Sequence, residues 1–391
     1  MATVPGLDDL LAPEGWPYAS TPPVDEGDPG RFHALFGRDS LITALQVLPA
    51  RPDVAHATLR ALARLIGRKT DPVWDEEPGK IVHEVRDTLP DGATRFLGLE
   101  PPEGQLRYYG SADATPLFLY VLAATGDRAL ADELRDAWQA AGAWLRGALA
   151  RGDGLLRWGP RPASGGGLSQ QGWRDTADPA NPEGNGGGIL GADGSVPRAP
   201  VADADTQAAA VAGLRGLAAL SGAEEDARAA AALAGRVAAR FGPETMALDA
   251  DDREIRGAGS QLGWLLWAGV RVAGAPERLA EPDVLTDYGL RTLSARHPQF
   301  GAANYHRGAV WPFDSWFGWG GLRAAGHEAA AERVRTGVLA ALERLGRYPE
   351  LYAVTDAGPE RIPIANRVQA WTVGASFALH RAWDGRVAGL L

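Results

Sequence analysis

The regular spacing of helical segments is the feature of this sequence that most constrains its fold. Apolar residues recur every three or four positions in segments rich in Ala, Leu and Arg, whereas the alternation typical of strands is nearly absent. The predicted helices are 39–49, 53–68, 112–125, 127–149, 204–221, 224–241, 259–273, 283–295, 313–326, 328–346 and 366–383.

Two kinds of connection alternate between these helices. Tight turns at 49–52, 125–127, 221–223 and Gly326 join the two members of a pair, and long Gly/Pro-rich connections separate the pairs. Antiparallel hairpins connected in this way stack side by side and collect their long loops on one face. We therefore predict an all-α fold, an (α/α)6 toroid of paired helices, with residues 1–391 forming one domain. Closing six pairs requires a twelfth helix near the N-terminus, and an open array is the alternative.

Composition excludes several classes of function. The chain has no Cys, so disulfide frameworks, Cys-based zinc sites and thiolate nucleophiles are excluded. A net charge of -10 disfavours nucleic acid as a partner. No apolar stretch is long enough to span a bilayer, and the N-terminus lacks the basic and apolar segments of a secretory signal. We expect a cytoplasmic protein with neither a membrane nor a nucleic-acid partner.

Tryptophan is unusually frequent, with 13 residues in the chain. An indole offers a flat apolar face beside a hydrogen-bond donor, a combination that suits a sugar ring. Four of these residues lie in polar, Gly-rich surroundings rather than on helical patterns: Trp74, Trp158, Trp173 and Trp311.

Polar clusters recur just before alternate helices or within the long loops. They are FGRDS (36–40), DEEPGKIVHEVR (75–86), YYGSADATP (108–116), GWRDTAD (172–178), NYHRGAVWPFDS (304–315) and YPELYA (348–353). The predicted fold brings these clusters to one concave face. A glycosidase needs one protonated carboxyl and one ionised carboxylate across the sugar, roughly 6.5 to 9.5 Å apart in inverting enzymes. Trp173 and Trp158 are candidates to keep Asp175 protonated, and His306 or Arg307 to keep Glu350 ionised.

Several of these segments resemble a known family. FGRDSLITALQ, DEEPGKIVHE, YYGSADATPLF, GWRDTAD, YHRGAVWP and PELYA resemble the catalytic domain of bacterial amylo-α-1,6-glucosidase (glycogen debranching) proteins. They are also similar to the related (α/α)6 hydrolases of mannosylglycerate and glucosylglycerate. The resemblance covers roughly residues 31 to 383, and its motifs occur in the same order.

The resemblance implies an inverting, exo-acting α-glycosidase that uses neither a metal nor an organic cofactor. By position in the motifs, Asp175 is its general acid and Glu350 its general base. The expected substrate-binding residues, including the Trp of the GWRD segment, are Arg38, Asp39, Lys80, His83, Glu84, Tyr109, Asp113, Trp173, His306, Trp311 and Asp314.

One segment departs from the debranching pattern. Where those domains usually carry Glu-x-Gln-Gly-Tyr, this chain has ADADTQAAA (202–210), so the aromatic is missing and Asp205 is the acid. A small substrate therefore suits the chain better than a polymer. We predict release of glucose from short α-linked, α-1,6 oligosaccharides, with hydrolysis of glucosylglycerate or mannosylglycerate as the alternative.

Two other classes of function remain open from the residues alone. Asp249, Asp251 and Asp252 form an Asp-x-Asp-Asp pattern of the kind that protonates alkenes in terpene cyclases. A protein that binds carbohydrate without cleaving it needs the aromatics but not the carboxylate pair. Each candidate also has a structural explanation: Asp175 as the cap of a turn, and Arg38 with Asp39 as an ion pair at a helix start.

Overall fold

In the computed structural model, which describes residues 3–89, 94–159, 165–179 and 186–391, the chain is mainly helical. The helices within these ranges are α1 (Gly37–Val47), α2 (Pro52–Arg64), α3 (Ala114–Ala124), α4 (Arg128–Glu133), α5 (Arg135–Arg151), α6 (Ala204–Ser221), α7 (Glu224–Arg240), α8 (Gln261–Trp267), α9 (Ala275–Leu279), α10 (Pro312–Ala324), α11 (Glu328–Leu345) and α12 (Ala370–His380).

Short antiparallel strands lie in the connections between the helices. One sheet has β1 (Leu35–Phe36), β2 (Glu84–Arg86) and β3 (Leu106–Tyr108), and another has β4 (Ala202–Asp203), β5 (Thr245–Leu248) and β6 (Glu254–Arg256). Two hairpins also occur: β7 (Leu285–Thr286) with β8 (Gly289–Leu290), and β9 (Tyr352–Thr355) with β10 (Gly358–Arg361).

Six almost completely buried helices contact one another in a closed cycle. α1 packs on α3, α3 on α6, α6 on α8, α8 on α10, α10 on α12, and α12 returns to α1. Residues on all sides of these helices are buried, the pattern of helices surrounded by protein. By contrast α2, α5, α7 and α11 bury one face each and lie outside the cycle, against α1, α3, α6 and α10.

Glycines allow the buried helices to approach closely. A Cβ on Gly263 of α8 would lie 2.3 Å from the Cα of Gly318 in α10, and one on Gly216 of α6 would lie 2.6 Å from the Leu119 carbonyl oxygen in α3. Both distances are far shorter than a carbon contact at its optimal separation. The small residues therefore set the interhelical distances.

Three predicted helices differ from the structure. Segment 283–295 forms the β7–β8 hairpin instead of a helix, and Gly289 in its turn has φ +119°. The helix predicted for 259–273 is shorter: it ends as α8 at Trp267, before Gly269 and Gly274, which have φ +72° and +74°. Segment 127–149 divides into α4 and α5. No twelfth helix of the predicted kind forms in the described part of the N-terminal region, where a 3-10 turn lies at Asp8–Leu10 and apolar residues pack beside α1 and α12.

The N-terminal ends of α1, α10 and α12 meet at a cavity, where long loops cover them. Helix N-termini present unpaired N–H groups and positive partial charge, so polar chemistry concentrates at this end. Within the described residues, no helix is both long and apolar enough to cross a membrane.

Candidate active site

A cavity of about 300 Å³ opens at the loop-bearing end of the helices. It brings together side chains that are distant in sequence, including both predicted catalytic carboxyls. Nine predicted site residues line it: Arg38, Asp39, His83, Glu84, Trp173, Asp175, His306, Trp311 and Glu350.

Asp175 enters this cavity on a tight loop. Backbone hydrogen bonds between Gln170 and Thr176 close the loop, and Arg38 donates from Nη1 to Asp175 Oδ2 at 2.8 Å. The Asp175 side chain is 25% exposed, so it is accessible from the cavity. Burial raises the pKa of Asp175 to about 7, although Arg38 opposes the rise, and the charge of Glu350 contributes to it. The carboxyl can therefore carry a proton near neutral pH.

Arg174 fixes the loop from behind. Its guanidinium donates to Asp205 Oδ2 at 3.0 Å, to the Thr292 carbonyl at 2.9 Å and to Ser260 Oγ at 2.9 Å. Trp173 and Asp175, on either side of it, line the cavity instead. Asp205, the acid at the position that departs from the debranching pattern, thus anchors the loop.

Glu350 lies deeper, with 1% of its surface exposed. Oε1 accepts a hydrogen bond from the Tyr305 hydroxyl, and Oε2 accepts one from the Asn366 backbone N–H at 2.9 Å. Burial raises the pKa of Glu350 to about 7, while these two hydrogen bonds oppose the rise. Because both bonds favour the ionised form, the environment suits a carboxylate that accepts a proton.

A hydrogen-bond network through Asn366 and Gln369 connects Glu350 to Asp39. The Asn366 amide donates to Gln369 Oε1 at 3.0 Å, and Gln369 donates to Asp39 Oδ1 at 3.3 Å. Burial raises the pKa of Asp39 to about 8, against the opposing charge of Arg38. The N-terminal ends of α1 and α12 are thereby held together at the floor of the cavity.

Aromatic rings form one wall. The Trp173 ring meets His306 and Trp311 edge-on, with centroids at 5.2 and 5.5 Å, and His306 stacks on Trp311 at 5.4 Å. The pKa values of His306 and His83 are lowered well below normal, chiefly by burial. His306 accepts a hydrogen bond at Nδ1 from the Gly188 N–H, so a neutral ring carries its proton on Nε2. These rings line the same cavity as Asp175.

Four predicted binding residues lie outside the cavity lining, and their positions do not support direct sugar contact. Asp113 lies behind Arg38 and accepts from its Nε at 3.0 Å, and Asp314 accepts from Trp264 Nε1 at 2.7 Å. The Tyr109 hydroxyl donates to the Leu65 carbonyl at 2.8 Å. Lys80 lines a second cavity, where Nζ donates to the Asp75 carbonyl at 3.2 Å.

The surroundings of the two carboxyls differ from those predicted for Trp158, His306 and Arg307. Trp158 lines the second cavity and donates to Asp203, so it does not cover Asp175. Tyr305, the Asn366 N–H and the charge of Arg31, rather than His306 or Arg307, lower the pKa of Glu350. Arg307 instead donates to the Gly187 carbonyl.

Tyr305, Gln369 and Trp371 are among the cavity-lining residues that were not predicted from the sequence. Tyr305 stands in the NYHRGAVWPFDS cluster directly before His306. Gln369 is the N-cap residue of α12, and Trp371 lies in its first turn. The predicted polar clusters directly precede or begin α1, α3 and α10. Searching for polar residues at the start of α12 in the same way would have identified Gln369.

The Asp-x-Asp-Asp segment lies away from this cavity. Asp252 is paired with Arg157 and Arg240, and Asp249 Oδ1 accepts the backbone N–H groups of Asp251 and Arg253. It therefore forms a surface turn. Among the residues that the structure describes, no group of His, Asp and Glu side chains is arranged to hold a metal ion.

Solved glycosidase structures share this fold. A GH63 mannosylglycerate hydrolase from Thermus thermophilus, in complex with Tris and D-glycerate, aligns with a TM-score of 0.66 at 17% identity over 96% of this chain and 98% of that chain. The same hydrolase in complex with glucose gives 0.67 at 18% identity and the same coverage. Neutral trehalase Nth1 from Saccharomyces cerevisiae gives 0.59 at 15% identity over 95% of this chain and 75% of that one.

No curated protein sequence matches the chain. A family model does match, over residues 121–372, which is more than half of the sequence. That region includes Asp175, Glu350 and the aromatic wall, and its match identifies the chain as a glycoside hydrolase. The chain belongs to the family of the mannosylglycerate hydrolase MGH1-like glycoside hydrolase domain.

Proposed function

We propose that this glycoside hydrolase cleaves, with inversion, the α-linkage between a hexose and glycerate, as in mannosylglycerate or glucosylglycerate. The observation that carries the proposal is the pair Asp175 and Glu350, which line one cavity in contrasting environments. Asp175 is accessible and lies beside an apolar wall, whereas Glu350 is buried and accepts two hydrogen bonds.

The proposed mechanism assigns one proton transfer to each carboxyl. Glu350 takes a proton from a water molecule, which attacks the anomeric carbon while the bond to the aglycone oxygen breaks. Asp175 donates its proton to that departing oxygen. The attack occurs on the face opposite the leaving group, so an α-glycoside yields the β-hexose. Arg38 keeps Asp175 at the edge of the cavity for the transfer.

The glycerate conjugate is preferred over the α-1,6 oligosaccharide that the sequence analysis placed first. The family match and the mannosylglycerate hydrolase structures support the glycerate substrate. A cavity of about 300 Å³ lies at the small end of ligand pockets and favours a hexose with a short aglycone. Isomaltose and panose remain the comparison substrates.

The architecture of the proposed enzyme follows from its helix contacts. The closed cycle of six buried helices, with outer helices packed against it, supports an (α/α)6 toroid. We propose that residues 1–391 act as one cytoplasmic catalytic unit whose partner is its small carbohydrate substrate.

Proton NMR of the first-formed sugar tests the mechanism. The purified protein is given mannosylglycerate, glucosylglycerate, isomaltose and panose in separate reactions, and the anomeric signals are followed before mutarotation. We expect release of the β-hexose from a glycerate conjugate. Release of the α-anomer contradicts inversion, and faster cleavage of isomaltose or panose contradicts the substrate assignment.

Variants of the two carboxyls test their roles. Asp175→Asn and Glu350→Gln should each lower kcat by about 10²- to 10⁴-fold, the usual contribution of a general acid or base. Asp252→Asn is the matched control, because this surface carboxylate lies outside the cavity. Comparable activity of all three variants would exclude the assignment.

A further inference from the structure

Few cations line the described part of the catalytic cavity. Four acids line it, at positions 39, 84, 175 and 350, but among the described residues only Arg31 and Arg38 line it as cations. The pKa of Asp39 is raised to about 8 and that of Asp175 to about 7, and Glu84 is paired with Arg86, so binding of an anionic substrate depends on the few cations of the lining. Since opposite charges attract strongly where water is partly excluded, the availability of the two arginines decides whether such a substrate binds.

Arg38 has little capacity left for a ligand. Its Nε is shared by both oxygens of Asp113 at 3.0 Å, Nη1 donates to Asp175, and Nη2 donates to the Gly172 carbonyl at 3.3 Å. It is also 2% exposed. The guanidinium is thus committed to holding the acid in place.

Arg31 is in the opposite situation. Its side chain is exposed at the cavity, and within the described ranges it forms no direct ion pair with a carboxylate, although its charge lowers the pKa of Glu350. One N–H group donates to the Ile364 carbonyl at 2.8 Å, and the guanidinium carbon lies 5.3 Å from the centroid of the Phe32 ring. These contacts fix the direction of the side chain while other guanidinium N–H groups stay available.

The backbone of Arg31 also ties it to the candidate base. Its N–H donates to Asn366 Oδ1 at 3.2 Å, and the Asn366 N–H donates to Glu350. The guanidinium therefore stands at a fixed position relative to the reaction centre. Because Arg31 is exposed at the cavity whereas Glu350 is buried, a group bound to its guanidinium lies towards the opening, where the aglycone of an exo-cleaved substrate extends.

We propose that Arg31 determines specificity by accepting the carboxylate of an anionic aglycone at the rim of the catalytic cavity. The proposal rests on the proposed glycerate substrate and adds the residue that distinguishes it from neutral glycosides. A guanidinium matches a carboxylate through two parallel N–H···O bonds, which lysine cannot reproduce. Arg31 also offsets the repulsion between the aglycone carboxylate and Glu350.

The experiment compares two substrates that differ only in charge. One is the hexosylglycerate that the wild-type enzyme cleaves, and the other is the corresponding hexosylglycerol, in which a hydroxymethyl group replaces the carboxylate. Both are assayed with wild type, Arg31→Gln, Arg31→Lys and the control Arg64→Gln. Arg64 is an exposed cation in the last turn of α2 and does not line the catalytic cavity.

We expect the ratio of kcat/KM for the charged substrate over the neutral one to fall by about tenfold to a hundredfold in Arg31→Gln, the range for losing hydrogen bonds to a charged group. The loss should appear mainly in KM. Arg31→Lys should show an intermediate ratio, and Arg64→Gln the wild-type ratio. Inhibition by free D-glycerate should weaken in parallel in Arg31→Gln.

An unchanged ratio in Arg31→Gln, or equal losses with both substrates, would overturn the role of Arg31 while leaving the proposed function intact. A wild-type enzyme that cleaves neither hexosylglycerate would overturn the proposed function and this inference together. The wild-type assay separates these two failures before any variant is made.

Discussion

Arg38 holds Asp175 by a hydrogen bond of 2.8 Å from Nη1 to Oδ2, while its Nε binds the buried Asp113. The same guanidinium thus orients the candidate acid and stabilises its ionised form. Burial acts in the opposite direction and is the larger effect, because the pKa of Asp175 is raised to about 7. The protonation of the acid near neutral pH depends on the balance between these two effects.

Removing Arg38 should be costly for both stability and activity. Arg38→Ala leaves Asp113 without its buried partner, and losing one member of a buried ion pair destabilises by about 3 to 5 kcal/mol. The pKa of Asp175 should rise further, and kcat should fall because the acid is no longer oriented. Urea unfolding and steady-state kinetics measure the two effects. Arg38→Lys should recover part of the stability, whereas wild-type stability in Arg38→Ala would exclude this role.

The pH profile of kcat/KM should be a narrow bell near neutrality. Activity requires Glu350 ionised and Asp175 protonated, and the pKa of each is raised to about 7. Activity is therefore lost below the bell as Glu350 gains a proton and above it as Asp175 loses one. Because the two groups interact, the limbs report values for the pair rather than for single residues. A plateau from about pH 5 to 9 would contradict the assignment, since general acid–base catalysis requires both protonation states.

Tyr305→Phe should move the acid limb of this bell upward. The Tyr305 hydroxyl donates to Glu350 and lowers its pKa, so removing it favours the protonated base. We expect a shift of roughly one pH unit, equivalent to about 1.4 kcal/mol. Tyr352→Phe is the matched control, because its buried hydroxyl donates to the Tyr288 carbonyl outside the cavity. Equal shifts in the two variants would contradict the specific role of Tyr305.

Asp314→Asn should stabilise the protein at alkaline pH. Burial raises the pKa of Asp314 from 3.8 to about 7, so the folded state holds this proton more tightly than the unfolded state does. The resulting stability is fully present below about pH 4 and is lost as pH rises through about 7. Asparagine cannot ionise, so the variant avoids that loss. We expect its free energy of unfolding to exceed that of the wild type by about 1 to 2 kcal/mol at about pH 8.5. Thermal unfolding at acidic and alkaline pH checks this, since an equal change at both would indicate a packing effect.

The helices around the cavity were largely predictable from sequence. Segment 204–221 coincides with α6, and 39–49 and 313–326 lie within two residues of α1 and α10. Their apolar periodicity is long and uninterrupted, so local pattern and tertiary packing favour the same structure. The polar clusters beside α1 and α10 indicated where the cavity forms, because loops at one end of such helices converge.

Other features depended on contacts that a sequence does not display. Leu285 and Tyr288 are spaced as on one face of a helix, but Gly289 adopts a left-handed conformation and the segment turns back as a hairpin. Tyr305 and His306 are neighbours in the chain, yet only the fold places the Tyr305 hydroxyl on Glu350. Asp113 was predicted to bind sugar, but it supports Arg38 from behind, a distinction that requires knowing which side faces the cavity.

Lys80 allows a direct test of whether a predicted binding residue contacts the substrate or only supports the structure. It was predicted to bind sugar, but it is buried in the second cavity, with Nζ 5.9 Å from the centroid of the Trp144 ring. Burial lowers its pKa, so the charged form is disfavoured there. Lys80→Met keeps the apolar stem and removes the charge, and we expect kcat/KM within about threefold of wild type and stability within about 1 kcal/mol. A hundredfold loss of kcat/KM with normal stability would indicate that Lys80 does bind the substrate. Because the stability of Lys80→Met is measured beside its activity, such a loss could not be attributed to unfolding.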